Sequence, residues 1–182
     1  MSWKNTNLRY GTLSIALHWL MFLLMVAVYA TIELRELFPK GSDPREAMKA
    51  WHFMLGLSVL LLVTLRIYAR VTSATPTIAP DLSPAQHLAA KLGHLALYGL
   101  MIAMPILGWL ILSAAGKPIP FFGLELPALT SENKELAKSL KEIHETIGVI
   151  GYYLIAAHVL AALYHHHIRK DNTLTRILPL KK

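Results

Sequence analysis

The chain has 182 residues, 54% of them apolar and 16% charged, with a formal charge of +7, nine histidines and no cysteine. A soluble domain is about 25% charged, so this composition excludes one, and the length leaves no room for a soluble enzyme beside a membrane anchor. Without cysteine there is no disulfide framework, thiolate zinc site, iron–sulfur cluster or C-x-x-C-H heme attachment, and any metal chemistry rests on imidazole and carboxylate.

Four apolar stretches organise the sequence. The first, about residues 12–32, has no acidic or basic side chain and matches the roughly 20 residues needed to cross a hydrocarbon core. It is too long for the apolar region of a signal peptide, and no A-x-A site follows. The second covers about 52–70 and ends in Arg66 and Arg70, whose long stems can snorkel to the interface. The third covers about 91–112 and contains Pro105, which membrane helices tolerate. Pro76, Pro80 and Pro84 give the segment before it an extended path. The fourth covers about 143–167, preceded by the polar, helix-favouring stretch from Ser131 to Glu142. The expected fold is all-α: a single domain over residues 1–182, built as a four-helix transmembrane bundle.

Four spans put both termini on one side. Lys and Arg are slightly more numerous on that side, Lys181 and Lys182 included, and most acidic residues fall in the two opposite loops. The positive-inside rule then places both termini in the cytoplasm. The net positive charge describes topology, not attraction to nucleic acid.

Ionisable side chains inside membrane helices are functional hypotheses by default. His18 lies in the inner half of the first span, His52 opens the second, and His144 opens the fourth. His158 follows His144 by fourteen residues, about four turns or 21 Å, on the same face. Depth therefore pairs His52 with His144 on the outer side and His18 with His158 on the inner side. Gly148, Gly151 and Gly56 lie on the same stripes as these histidines; they allow either a flat macrocycle or close helix packing. Two imidazoles from facing helices suit the two axial positions of a heme b. The rival is a zinc or nickel carrier, which needs more ligands at one depth.

His94 and His165, also on the inner side, are candidates for hydrogen bonding to a quinone; His87, His166 and His167 are read as bystanders. Lys49 and Lys141 each precede an outer histidine by three residues, one turn away, where they could meet a heme propionate or steer an anion. Arg9, Arg35, Arg66 and Arg70 are further propionate candidates. Trp51 and Trp109 fit an outer aromatic belt.

Several motifs resemble the bacterial cytochrome b561 family: Ser14-Ile15-Ala16-Leu17-His18-Trp19, Pro76-Thr77-Ile78-Ala79-Pro80, Leu92-Gly93-His94, His144-Glu145-Thr146, Gly151-Tyr152, His158 and Lys170-Asp171-Asn172-Thr173-Leu174. The resemblance covers nearly the whole chain. It implies a four-helix inner-membrane protein with two hemes b, the inner one held by His18 and His158 and the outer one by His52 and His144. Lys91, two residues before Gly93, stands where one member of that family has a histidine. The resemblance further implies electron transfer from an outer-face donor, superoxide in the first instance, to ubiquinone. The alternative is a heme-bearing anchor subunit that links quinone to a partner dehydrogenase or hydrogenase.

Overall fold

The computed structural model describes residues 3–179; Lys181 and Lys182, counted above with the inner-side charges, lie outside them. Four long helices dominate: α1 (Thr12–Leu34), α2 (Asp43–Val71), α3 (Pro84–Ala114) and α4 (Lys134–Tyr164). Each is long and apolar enough to cross a membrane. Three of them start well before the apolar runs do, because their N-termini are fixed by a proline in the first turn or by a side-chain cap. Pro44 stands in the first turn of α2 after Ser42. Ser83 and Gln86 close a capping box on α3, satisfying two orphan donors reciprocally. Asn133 accepts from the Leu136 amide at the start of α4. At 29 residues, α2 is about 43 Å long, more than the roughly 30 Å hydrocarbon core, so its polar first turns project from the membrane. His52, His94 and His144 therefore lie nine or ten residues inside their helices and do not open them. His87, which precedes the expected third span, belongs to the first turn of α3.

The α1–α2 connection is a single 3-10 turn, Arg35–Leu37. Arg45 is buried there and clamps it, with Nη2 donating to both Glu36 carboxylate oxygens at 2.9 Å and Nη1 donating to the Phe38 carbonyl. The α3–α4 connection holds an antiparallel hairpin, β1 (Ile119–Phe121) and β2 (Leu124–Leu126), which sequence reading missed. Its two-residue turn places Phe122 and Gly123 at φ 48° and 86°, the positive values that match a turn to strand twist. The hairpin rests on α2: Ile119 packs with Leu57 and Leu112, the Phe122 ring meets Trp51, and the Phe122 amide donates to Met54 Sδ. Trp109 donates its indole N–H to the Pro127 carbonyl nearby. The hairpin thus marks one end of the bundle, the hairpin side, and the opposite end is the terminus side.

α1 packs on α2, α2 on α3, and α3 on α4. Among the described residues no Cα of α4 comes within 8 Å of α1 or α2. The main core, Met21, Val59, Leu62, Val63 and Met101, comes from the first three helices. α4 buries only Ala137 and Gly151. Two polar contacts bridge α1 to α4: Tyr29 Oη donates to the Gly148 carbonyl at 3.0 Å, and Tyr152 Oη donates to Glu33 Oε1 at 2.7 Å.

Candidate functional site

The helices that stand apart are those whose histidines face each other. On the terminus side the rings of His18, on α1, and His158, on α4, have centroids 6.5 Å apart. On the hairpin side His52, on α2, and His144, on α4, are 6.3 Å apart. An imidazole nitrogen bonds a metal at about 2 Å and lies about 1 Å from its ring centre, so two rings on opposite sides of one metal have centroids about 6 Å apart. Both pairs fit that separation. Among the described residues no three or more His, Cys, Asp or Glu side chains form a metal-ion cluster. A bare zinc ion takes four ligands, whereas a heme brings its own equatorial nitrogens and asks the protein for axial ligands only. The donor set therefore fits heme and not a zinc or nickel carrier.

The surroundings of the two pairs differ. His52 Nδ1 lies 3.0 Å from the Val28 carbonyl, so Nδ1 carries the proton and the lone pair of Nε2 is free for a metal. Gly108 on α3 brings its backbone toward His144; a Cβ there would lie 3.7 Å from the imidazole Cε1. A Cβ on Gly56 would meet nothing within 4 Å, which suits a cradle beside His52. Gly151 serves packing instead: a Cβ there would overlap Tyr29 Oη and press on Leu100.

On the terminus side, His94 of α3 stands 5.6 Å from His158 between ring centroids, and Arg66 of α2 places Nη2 2.7 Å from His18 Nδ1. Each of the four helices thus contributes one side chain. His165 opens a π-turn, His165–Arg169, that ends in Lys170 with a left-handed backbone. Its Nδ1 lies 2.5 Å from Asp171 Oδ2, and the Asp171 side chain is fully buried. Burial pushes the Asp171 carboxyl up, but the hydrogen bonds from His165 and the Thr173 amide outweigh that and hold it below the usual carboxylate range. Beyond it the tail straps the terminus side together. Asn172 exchanges two hydrogen bonds with Ala79, Arg176 donates to the Pro76 carbonyl, and Trp19, next to His18, donates to the Ile177 carbonyl at 2.8 Å. Arg169 donates to Gln86 Oε1 at the start of α3.

Lys49 and Lys141 lie on the hairpin side, but each is paired with a carboxylate of its own helix, Glu46 at 2.6 Å and Glu145 at 2.8 Å. Arg35 is likewise bound to Glu36. Of the arginines singled out from sequence, Arg66 alone is shown bonded to one of these four histidines among the described residues. Its sequence signal is spacing: Arg66 follows His52 by fourteen residues, as His158 follows His144.

A family model described as prokaryotic cytochrome b561 matches residues 9–180, nearly the whole chain. The chain belongs to the prokaryotic cytochrome b561 family. It is 40% identical over 174 residues to "Cytochrome b561 homolog 1" of Escherichia coli (strain K12), covering 96% of this chain and 99% of that protein. It is equally identical over 174 residues to "Probable superoxide oxidase CybB" of Yersinia pestis, covering 96% and 98%. "Cytochrome b561 homolog 2" of Escherichia coli (strain K12) is 35% identical over 179 residues, 98% of this chain and 95% of that one. This cytochrome b561 is a multi-pass membrane protein that works in electron transfer, and its family implies b-type heme.

Proposed function

We propose that this cytochrome b561 holds two hemes b, takes single electrons from superoxide at its outer face and delivers them to ubiquinone. The observation that carries the reading is the pair of imidazole couples at metal-bridging separation, one on each side of the bundle. The similarity to a protein named a probable superoxide oxidase supports the donor. The hairpin side faces outward and the termini face the cytoplasm of a bacterial inner membrane, as the Lys and Arg distribution suggests.

In this reading His52 and His144 hold the outer heme and His18 and His158 the inner one. When bound, heme supplies a one-electron couple at iron. With two imidazoles devoted to each group, the four histidines would leave no ligand site at the metal for a substrate. Lys49 and Lys141 form the rim of the outer site. Because each is ion-paired, its pull on a propionate or on superoxide is weaker than that of a bare ammonium. His94, beside His158, and His165, oriented by Asp171, bind the quinone head group and supply hydrogen bonds to it. The balance is two superoxide anions oxidised to dioxygen, with ubiquinone taking two electrons and two protons to become ubiquinol. Surrounding lipid is the other partner.

The test is superoxide consumption by purified protein with ubiquinone, followed together with ubiquinol formation. The native protein is expected to consume superoxide faster than a His52→Ala, His144→Ala double variant. Equal rates would assign the outer electron to another donor, such as a partner redox protein. His165→Ala is expected to slow ubiquinol formation while leaving the heme spectrum unchanged; an unchanged rate removes His165 from the quinone site.

A further inference from the structure

The hairpin between α3 and α4 lies outside the four spans, yet it reaches back to the level at which α2 enters lipid. Along α2 the last charged side chain before the apolar run is Lys49, and the next is Arg66. Met54 follows Lys49 by five residues, about 7.5 Å along the axis. Phe122, at the hairpin tip, touches α2 at two places there. Its ring centroid lies 6.2 Å from that of Trp51, and its amide donates to Met54 Sδ at 3.4 Å. The tip is therefore level with His52, which lies between those two contacts in the sequence.

What the tip shows to its surroundings is apolar: Phe122 is 55% exposed, Leu124 66% and Trp51 47%. Strand pairing sets Phe121 opposite Leu124 and Ile119 opposite Leu126. Ile119, Phe121 and Leu126 pack toward α2 and α3, so Glu125 points to the other face. Phe122 has φ 48°, at a position of a two-residue turn that favours Asn, Asp or Gly, and a bulky side chain is strained there. A ring held against its backbone preference points to a contact that asparagine would not make.

The surroundings that fit are narrow. A stable interface with a second copy buries roughly 1,200–2,000 Å², and three partly exposed side chains fall far short of that. Among the described residues the sheet has two strands only, so each keeps an edge whose N–H and C=O groups lack ladder partners, and lipid tails do not satisfy them. The boundary between headgroups and acyl chains offers apolar contact and hydrogen-bonding partners together, and aromatic side chains collect there. Trp109 of α3 ties the hairpin to the same level, donating its indole N–H to the Pro127 carbonyl just after β2.

We propose that Phe122 and Leu124, with Trp51, insert into the boundary between headgroups and acyl chains on the hairpin side and anchor that end of the bundle at a fixed depth. The inference does not depend on which group the histidines hold.

The chain has no cysteine, so nitroxide labels are placed one at a time through Phe122→Cys, Leu124→Cys and Glu125→Cys. The labelled holoprotein is reconstituted at low density in vesicles of phosphatidylcholine and phosphatidylglycerol. Relaxation of each label by oxygen, which concentrates in lipid, is compared with relaxation by a water-soluble nickel chelate. Leu61→Cys, exposed midway along α2, and Lys138→Cys, exposed near the start of α4, are the lipid and water references. The oxygen-to-nickel ratio at positions 122 and 124 is expected several-fold above that at 125 and 138, and below that at 61. If Phe122→Cys does not fold, Leu124→Cys carries the same reading. Phe122→Asn suits the turn while removing the ring, so added to Leu124→Cys it should not lower the thermal unfolding temperature and should move the label at position 124 several-fold toward water. A tip ratio equal to that at 138 puts the tip in water, and one equal to that at 61 puts it in hydrocarbon; either overturns the proposal. Poor relaxation by both reagents means that a second copy covers the tip, and a ratio that Phe122→Asn leaves unchanged means that the ring anchors nothing; each of these overturns it as well.

Discussion

Gly151 has Tyr29 against its α-carbon: any Cβ there would overlap the Tyr29 hydroxyl and press on Leu100. That hydroxyl is donated to Gly148, one turn away on the same helix, so two glycines on α4 together seat one tyrosine of α1. Gly151→Ala is expected to lower stability by about 1–3 kcal/mol through overpacking, read as a fall in thermal unfolding temperature in detergent. In the Gly151→Ala, Tyr29→Phe double variant the overlap is gone, so its loss should be smaller than the two single losses added; a strictly additive loss would show that Gly151 does not answer to Tyr29. The sequence placed Gly148 and Gly151 on the histidine stripe but left open whether they served a cofactor or helix packing. A glycine's partner is set by which side chain approaches from another helix, and a single chain's periodicity carries no record of that. His144 and His158 are the opposite case, since their fourteen-residue spacing puts them on one face and fixes their relative depth.

At the scale of elements, hydropathy located the four spans and missed the starts of three of them. Apolar runs mark where a helix meets lipid, whereas its beginning is marked by Ser83 and Asn133, which satisfy orphan amides of α3 and α4, and by Pro44 in the first turn of α2. The hairpin between α3 and α4 was equally present in the sequence, as Ile119-Pro120-Phe121 and Leu124-Glu125-Leu126 around Phe122-Gly123. The segment is too short for its alternation to stand out. The tail strap was legible only as a family motif. In the structure Asp171 anchors it, buried and bonded to His165 and the Thr173 amide. Its carboxyl lies below the ordinary value of 3.8, so the folded state favours the charged form. The stabilisation is therefore complete above that ordinary value and is lost as pH falls through the lower folded one. Asp171→Asn is expected to cost about 1–3 kcal/mol near neutrality, with the difference from the native protein shrinking in acid. Thermal unfolding of both proteins across an acid pH series checks this; a difference that stays constant into strong acid would contradict it.

For the whole molecule, the arrangement that matters is that the backbone of α4 lies close to that of α3, whereas α4 meets α1 and α2 through side chains, the Tyr29 and Tyr152 contacts with α1 among them. Close packing there would have brought the backbones together; instead, imidazoles face each other across both gaps. Sequence supplied the pairing by depth, and the family resemblance supplied the same pairs. Neither could say that Arg66 would join the terminus-side pair, because neighbour relations between helices arise only in the assembled bundle. The central claim is that two hemes sit at two depths, each between one facing histidine pair. The most direct measurement is heme stoichiometry by visible spectroscopy of the purified protein, of His18→Ala, His158→Ala and of His52→Ala, His144→Ala. Two low-spin b-type hemes per chain are predicted in the native protein and one in each double variant. A native protein carrying one heme or none, or a double variant that keeps both, would contradict the account.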